Sequence, residues 1–524
     1  MTITSLQFLA FCLAAVLLFL IFPRKYRWIS LLISSIAFYL ISAKAIIVFI
    51  AVTSFTIWMA GRKMTCIQQK ADNTLKNGDL DRTAKKELKK KTQSCRKRVL
   101  LIALVINIGM LVVFKIFNYF TAAFAMIAGL FVGSANADAL TVIMPLGISY
   151  YTFATIGYLL DVYWKRYESE ENFVRFFLFA IYFPHIVQGP ISRYPLLGQE
   201  LKKKELRFTW NNFVIGMESI LLGCFKKLVI ADRASIFVSS VIQESGLHGS
   251  IYLFAMILDG IQIYADFSGY MDIVRGVSRL FDVELEQNFN HPFLAKSVPE
   301  FWRRWHMSLG GWFKDYVYYP ITVSKTIKKL NKKVRNWKSN HAKNLVIIII
   351  PVMVTWLCTG LWHGTGSGYV MWGIYYGTLI ALSVTFGEDI QRFLHKLHIN
   401  TECFSWRMLQ VVKIFCIFMG GRFLGTQMTM THRGEIFYQI FHSFLGFPVM
   451  DYGLDAVNFL ILFVGVILLI AIAVIEQKQE LFTWFNSQNR LFCAVVLYVI
   501  FFAVFLLGIY GSGYDASSFM YQQF

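Results

Sequence analysis

One histidine, His363, stands in the segment TWLCTGLWHGTGSGYVMWGIYYG, where a long apolar run meets a group of glycines. An ionisable side chain at membrane depth costs free energy unless it faces a cavity or a partner, so such a residue indicates a functional site. Burial disfavours the imidazolium and keeps the ring in the neutral form that a general base requires. Neutral His363 could therefore take the proton of a hydroxyl group that attacks a carbonyl carbon. The spacing alone also allows a structural, hydrogen-bonded histidine.

Three other histidines occupy unusual positions. His306 lies among tryptophans and glycines in WRRWHMSLGGWFKDYVYYPI. His185, in FPHIVQGPISR, is flanked by helix-breaking residues, and His291 precedes a proline in NFNHPFL; either could line a site. The remaining histidines have ordinary solvated or packing roles: His248, His341, His395, His398, His432 and His442.

The residues around His306 recur at helical spacing. Trp302, Trp305, His306, Leu309 and Phe313 follow an i, i+3, i+4, i+7 pattern, and the basic side chains fall elsewhere. The pattern predicts one amphipathic helix at the membrane face.

No familiar nucleophile or cofactor motif accompanies these histidines. The sequence contains no GxSxG, HExxH, GxGxxG or P-loop pattern. Its eight cysteines are scattered without a CxxC pair or a Cys/His cluster, so neither a disulfide scaffold nor a zinc site is indicated. The implied reaction is direct attack by an acceptor hydroxyl, with binding and orientation supplying much of the rate.

The elements that must position these residues are membrane helices. Of the 524 residues, 56% are hydrophobic and 16% are charged, whereas about a quarter of the residues of soluble domains are charged. Apolar windows of about 18 residues or more, long enough to cross about 30 Å of hydrocarbon, recur along the chain. We therefore expect an all-α polytopic membrane protein with about eleven transmembrane helices. The first apolar segment has neither a basic region before it nor a cleavage site, so we expect a retained span.

The expected membrane segments share low charge and sufficient length. They are residues 5–22, a hairpin over 29–60, and 99–118, 140–162, 173–190, 211–232, 250–268, 344–361, 368–386, 408–424, 457–475 and 491–510, with 120–133 and 435–448 as re-entrant or interfacial segments.

The net charge of +20 is concentrated in a few segments, which argues against nucleic acid as a partner. Residues 62–98 hold 13 Lys/Arg against 4 Asp/Glu, and residues 323–343 hold eight Lys/Arg and no acid. The positive-inside rule makes both cytoplasmic, beside anionic lipid or as a docking site for an acidic partner or a phosphate-bearing cofactor. A helix from Asn344 would then carry His363 about 28 Å outward at 1.5 Å per residue. A tunnel joining it to His306 would let a cytosolic donor meet an outward-facing acceptor.

The two histidine segments, WRRWHMSLGGWFKDYVYYPI and GLWHGTGSGYVMWGIYYG, together resemble the paired signatures of bacterial membrane-bound O-acyltransferases (MBOAT). The upstream segments MPLGISYYTF, FPHIVQGPI and YADFSGYMDIVRG are also similar to that family. The chain length and the basic first large loop resemble the AlgI-like branch, which is related to DltB. His185 is a departure, because the family is expected to have glutamine there, and it would alter the tunnel lining.

The resemblance implies a single membrane domain over residues 1–524, with helices around a central funnel and tunnel. It implies an O-acyltransferase that uses a cytosolic thioester, acetyl-CoA or an acyl carrier protein, and needs no tightly bound cofactor. The product would be an O-acetylated extracytoplasmic polysaccharide similar to alginate or cellulose, completed by an SGNH-hydrolase-like partner. The expected location is the bacterial cytoplasmic membrane.

The resemblance also assigns roles within a catalytic core over residues 284–377. His363 corresponds to the essential histidine of the family, and His306 to the second one. Our own hypothesis is that His306 positions or polarises the donor rather than taking the proton. The candidates for the tunnel or donor site are Trp302, Trp305, Asp315, Trp362, Gln188, His185 and His291.

The last residues, SSFMYQQF, form an expected extracytoplasmic tail within residues 511–524. Phe519, Tyr521 and Phe524 resemble the terminus of the small partner proteins of DltB-type systems, in which a tyrosine carries the acyl group. Tyr521 is therefore a candidate acyl acceptor, with chance aromatic residues in a disordered tail as the alternative.

Two other functions stay open from the sequence. Within the family, the donor could be a D-alanyl carrier protein and the product alanylated teichoic acid. From another class, the chain could be a flippase or transporter of a lipid-linked glycan with the histidine as a proton relay. A relay normally needs several acidic groups within the spans, and Asp266 and Asp272 are nearly alone there.

Overall fold

The computed structural model describes residues 1–43, 46–78, 80–132, 145–364, 366–446 and 452–510. Regular secondary structure within those ranges is helical, with no strand, which confirms the all-α prediction. The described residues form two compact units. The first comprises Leu6–Thr209 and Leu280–Glu286, and the second Thr2–Ser5, Trp210–Arg279 and Gln287–Phe524.

In the first unit the expected first span is an apolar helix of only 16 residues, shorter than the roughly 20 that a transmembrane helix needs, and the expected hairpin that follows it is also helical. Residues 62–98, the basic segment, are mostly helical, because they form the end of one long helix and the beginning of the next. The helices of this unit are α1 Leu6–Ile21, α2 Arg27–Ala43, α3 Ile47–Asn77, α4 Arg82–Val132, α5 Ile148–Tyr163 and α6 Phe173–Ile181.

Two expected spans of the first unit are shorter than predicted. Helix α5 has 16 residues and is buried around nearly its whole circumference, which is typical of a core helix. Helix α6 has only nine residues: the side chain of Asn172 caps its start, and the chain leaves the helix after Ile181. The segment after it contains Pro184 and Pro190, which disfavour a continued helix.

The second unit contains most of the long helices. Its helices are α7 Trp210–Cys224, α8 Asp232–Gln243, α9 Gly249–Arg279, α10 Val298–Arg304, α11 Met307–Phe313, α12 Tyr319–Thr322, α13 Lys325–Val334, α14 Asn340–His363, α15 Ser367–Lys396, α16 Phe404–Gly425, α17 Met430–His442, α18 Ala456–Glu476, α19 Leu481–Asn486 and α20 Arg490–Leu507.

Nine helices in the described part of the chain are long and apolar enough to cross a membrane, so the chain is a multi-pass membrane protein. They are α2, α3, α4, α9, α14, α15, α16, α18 and α20. The difference from the expected eleven or so spans arises largely because α1, α5 and α6 are short and because α7 continues through a π-helical turn, Phe225–Ala231, into α8.

The predicted single amphipathic helix around His306 is wrong. Helix α10 ends at Arg304, where Trp305 takes an extended conformation, and α11 starts only at Met307. Between them His306 has φ 45° and ψ 54°, in the left-handed region that few non-glycine residues occupy. The aromatic residues do recur at helical spacing, but they are distributed over two short helices and the turn between them, not along one helix.

Helices α14 and α15 form a tight hairpin because glycines let their backbones approach. A Cβ at Gly373 would lie 2.8 Å from the carbonyl oxygen of Trp356, and one at Gly360 would lie 2.4 Å from that of Tyr369. Small residues at such crossings are the usual means by which membrane helices pack closely. This hairpin fixes the end of α14, where His363 lies.

We expect Gly373→Ala to lower the melting temperature of the detergent-purified protein, because its Cβ meets backbone that must shift. Gly387→Ala, in the same helix, is the matched control: its Cβ meets nothing within 4 Å, and alanine favours the helix by about 1 kcal/mol over glycine. Equal melting temperatures for the two variants would contradict the close packing described here.

Candidate active site

Asn288 holds His306 in its left-handed turn. The Oδ1 atom of Asn288 lies 3.2 Å from Nδ1 of His306 and accepts hydrogen bonds from the backbone N–H (3.0 Å) and the hydroxyl (2.8 Å) of Ser308. The backbone carbonyl of the same asparagine accepts the N–H of Met307 at 2.9 Å, and the N–H of Asn290 donates to the carbonyl of Arg304 at 2.9 Å. These bonds replace the helical pairing that the backbone gives up between α10 and α11.

This arrangement fixes the tautomer of the His306 ring. A backbone N–H can only donate, so the Asn288 atom that faces Ser308 must be the oxygen, and Nδ1 of His306 must carry the hydrogen that points to it. Burial lowers the pKa of His306 to about 3, so the ring is neutral at physiological pH. Its Nε2 atom consequently presents a lone pair, as an acceptor.

His363 is the last residue of α14 and is buried among aromatic rings. Its ring centroid lies 4.8 Å from that of Trp362, 5.3 Å from that of Trp372 and 6.3 Å from that of Tyr369. The next residue, Gly364, leaves no room for a side chain, because a Cβ there would lie 2.3 Å from the Tyr369 ring. Glycine therefore lets the chain turn sharply after the imidazole.

Trp362 lies beside both histidines. Its ring centroid is 6.1 Å from that of His306 as well as 4.8 Å from that of His363, with edge-to-face geometry to each. Phe267, on α9, packs against His306, and their ring centroids are 4.8 Å apart. The structure thus brings together two imidazoles that are separated by 57 positions in the chain, as the numbers 306 and 363 show.

A cavity of about 600 Å³ in the second unit is lined by both histidines. Its wall is largely apolar and aromatic, contributed by α10, α11, α14 and α15, and it includes the predicted site residues Trp302 and Trp305. Volumes of this order are typical of small-molecule sites. The exposed residues Arg303 and Lys314 also line it, and neither forms an ion pair with another described residue.

Trp302 packs α10 against the hairpin formed by α14 and α15. Its ring centroid lies 4.8 Å from that of Trp356, 5.4 Å from that of Trp372 and 4.7 Å from that of Tyr376, in edge-to-face arrangements. Aromatic pairs of this kind add about 0.5–1.5 kcal/mol each beyond the area that they bury. The same cluster touches His363 through Trp372, so one aromatic assembly supports both sides of the cavity.

Three predicted residues of the second unit lie outside the cavity wall: Trp362, which packs beside both histidines, Asp315 and His291. Asp315 lies half-buried in the π-helical turn Lys314–Tyr318, directly after α11. His291 is also in a left-handed conformation, and its Nε2 lies 3.2 Å from a carboxylate oxygen of Glu476. Burial, followed by the charges of Lys226 and Arg304, lowers the pKa of His291 to about 4.

The predicted residues His185 and Gln188 belong to the first unit. Both are buried, and Nδ1 of His185 lies 2.8 Å from the carbonyl oxygen of Tyr182, to which it donates. Burial lowers the pKa of His185 to about 4. Gln188 keeps a buried Nε2 that has no acceptor among the described residues. Their roles in a tunnel stay predictions, and Tyr521 lies outside the described residues.

Sequence reasoning missed Asn288, although its signal was present. The segment QNFNHPFL places two asparagines and a proline close together, which indicates irregular backbone, and the buried polar groups of such backbone need hydrogen-bond partners within the protein. The pattern could therefore indicate a supporting loop, but not which of its two asparagines faces His306.

Comparison with known proteins confirms the resemblance to the membrane-bound O-acyltransferase family. The model of that family, MBOAT, matches residues 169–336, a segment that contains Asn288 and His306. His363 lies beyond the matched segment.

Individual relatives match longer stretches. The chain is 30% identical over 300 residues to the probable alginate O-acetylase AlgI of Pseudomonas putida, covering 57% of this chain and 58% of that protein. It is 29% identical over 320 residues to the peptidoglycan O-acetyltransferase of Helicobacter pylori, with 56% of each covered. It is 27% identical over 240 residues to the teichoic acid D-alanyltransferase of Bacillus subtilis, covering 45% and 58%. The chain thus spans just over half the length of these relatives.

We expect Asn288→Ala to destabilise the protein markedly, because it leaves three buried donors without their acceptor, each at about 1–3 kcal/mol. Asn290→Ala is the matched control, since that side chain is exposed two positions away in the same segment. The measurement is the melting temperature in detergent. If both variants melt alike, Asn288 does not hold this turn.

Proposed function

We propose that this chain is a membrane-bound O-acyltransferase that passes an acetyl group from a cytosolic thioester towards a hydroxyl group of an extracytoplasmic polysaccharide. The observation that carries the proposal is the shared cavity: two buried imidazoles, from distant parts of the sequence, line one largely apolar chamber among membrane helices. The names of the relatives, which include O-acetyltransferases of a polysaccharide and of peptidoglycan, support the same chemistry.

The proposed reaction needs one proton acceptor and one thioester. His363 takes the proton of the acceptor hydroxyl, whose oxygen forms a bond to the acyl carbon. The C–S bond then breaks, and the thiolate receives the proton that His363 holds. A positioned general base contributes about 10² to 10⁴ in rate, and holding both reactants in one chamber contributes further.

His306 has a positioning role in this proposal. Because Asn288 takes its Nδ1–H, the neutral ring offers a lone pair and so accepts a hydrogen bond; it would hold an N–H or O–H group of the donor rather than polarise the thioester carbonyl. This narrows the hypothesis drawn from the sequence, under which His306 could either position the donor or polarise it.

The charges on the cavity wall suit a phosphate-bearing donor. Arg303 and Lys314 have no carboxylate partner among the described residues, and acetyl-CoA and acyl carrier proteins both present the thioester on a phosphorylated arm. The basic segments 62–98 and 323–343 would face the cytoplasm by the positive-inside rule. Acceptors would approach from the outer side, through Tyr521 or directly, with an SGNH-hydrolase-like partner acting on the glycan.

A second candidate is D-alanyl transfer, which the similarity to the teichoic acid D-alanyltransferase of Bacillus subtilis favours. The chamber and the two histidines would serve either acyl group. The thioester that the protein consumes distinguishes the two activities. Acetyl transfer releases thiol from acetyl-CoA or an acetylated carrier protein, whereas D-alanyl transfer releases it from a D-alanyl carrier protein.

The central experiment is thiol release by the purified protein from each of these thioesters in the presence of an oligosaccharide acceptor. We expect His363→Ala to reduce the rate at least about 10²-fold, because the acceptor loses its base. His341→Ala, an exposed histidine on the same helix, should keep the wild-type rate. Undiminished release by His363→Ala would reject the assignment of the base.

A second experiment tests the cavity itself. Thr359 lines the chamber, whereas Cys358, the preceding residue of α14, is exposed on another face of the helix. We expect Thr359→Trp to obstruct the chamber and strongly reduce thiol release, while Cys358→Trp leaves the rate within about twofold of wild type, by the usual tolerance of exposed sites. Both variants should elute from a size-exclusion column at the wild-type volume, which shows that they fold. An active Thr359→Trp protein would show that the reaction does not take place in this chamber.

A further inference from the structure

A second cavity, of about 510 Å³, lies within the first unit. It is bounded by the basic ends of α3 and α4 and by the residues that follow α5. Its wall is more polar than that of the histidine chamber and includes the side chains of Gln68, Thr92 and Gln93. Nothing in the proposed acyl transfer uses this space.

The charged residues of this wall are unbalanced. Lys89, Arg96 and Lys165 contribute three positive charges, whereas Asp72 is the one acid of the wall, so the wall carries an excess of two positive charges. None of the three cations lies within ion-pair distance of a carboxylate among the described residues, and Asp72 accepts a hydrogen bond from Gln68 instead.

Arg96 is the fixed part of this wall. Its side chain is buried with a residual exposure of 5%, and its guanidinium donates only to neutral oxygens: Oε1 of Gln68 at 3.2 Å and the carbonyls of Val162 and Tyr163 at 2.9 and 2.8 Å. Its Nε–H has no acceptor in the described part of the chain. The carboxylate of Asp72 acts on Arg96 only at longer range and forms no ion pair with it, so an anion in the adjoining cavity would offset part of the cost of burying this cation.

Lys165 reaches the cavity from a backbone position that favours glycine. It follows the end of α5 with φ 61°, a left-handed conformation that disfavours residues with a Cβ. A glycine would take this conformation without strain, so this position can lose the lysine side chain without disturbing the turn.

From these observations we propose that this cavity binds the phosphate group of an anionic ligand. Arg96 and Lys165 would face the phosphate oxygens, because guanidinium and ammonium groups form their strongest hydrogen bonds with ionised oxygen. The volume fits a phosphate together with part of its ester, and the amide side chains would hold its polar substituents. The ligand is either the headgroup of an anionic phospholipid or a soluble phosphate ester. The site stands whether or not the acyl transfer proposed above is correct.

The test measures ligand binding by the full-length, delipidated protein in detergent. Phosphatidylglycerol and phosphatidylcholine are compared by native mass spectrometry, and coenzyme A and inorganic phosphate by calorimetry. Lys165→Gly is the informative variant, because it removes one charge and also relieves the left-handed strain, so it should fold at least as well as the wild type. Lys97→Gln, an exposed position on the same helix as Arg96, is the matched control for a general loss of positive charge.

We expect Lys165→Gly to weaken the binding of either phosphatidylglycerol or the soluble phosphate compounds about tenfold, since one charge-assisted hydrogen bond is lost. Lys97→Gln should leave that affinity unchanged. Selective loss of phosphatidylglycerol identifies a lipid headgroup, and selective loss of coenzyme A or phosphate identifies a soluble ester. The proposal is overturned if none of the probes is bound, if Lys165→Gly binds them all as the wild type does, or if both variants weaken binding equally.

Discussion

The histidine chamber depends on one hydrogen-bonding centre, the Asn288 amide oxygen. Between α10 and α11 the regular helical hydrogen-bond pattern is interrupted, and the buried N–H groups of Met307 and Ser308 need other acceptors within the protein. Asn288 supplies them with its side chain and its backbone, and the same oxygen fixes the orientation and tautomer of the His306 ring. A fold constraint and a chemical property of the site therefore have a single cause.

The second side of the chamber depends on close helix packing. Glycines let α14 and α15 approach until backbone touches backbone, and His363 is the last residue of α14 before the chain turns at Gly364. Trp302 then packs edge-to-face against the aromatic rings of this hairpin, which connects the short helix α10 to it. His363, at the end of α14, and His306, in the left-handed turn, are both in contact with the aromatic ring of Trp362.

The two cavities differ in the charge that they tolerate. The histidine chamber is lined mainly by apolar and aromatic groups, and burial keeps its His306 neutral, which suits a hydrogen-bond acceptor that positions the donor. The cavity of the first unit has a cationic, amide-rich wall, which suits recognition of an anion rather than chemistry. The sequence indicates that the basic segment 62–98 determines topology. The structure adds that this segment is mostly helical and that one of its arginines, Arg96, is buried.

The sequence by itself determined the fold class, the membrane helices and the two histidine segments, because apolar length and local residue types are properties of short stretches of chain. It also predicted the tryptophans of the chamber, although as a stripe on one helix. Only the tertiary structure showed the break at His306, the choice of Asn288 over Asn290, and the meeting of His306 with the distant Trp362. Those features arise from hydrogen bonds and ring contacts between segments far apart in the chain, and local periodicity contains no information about such partners.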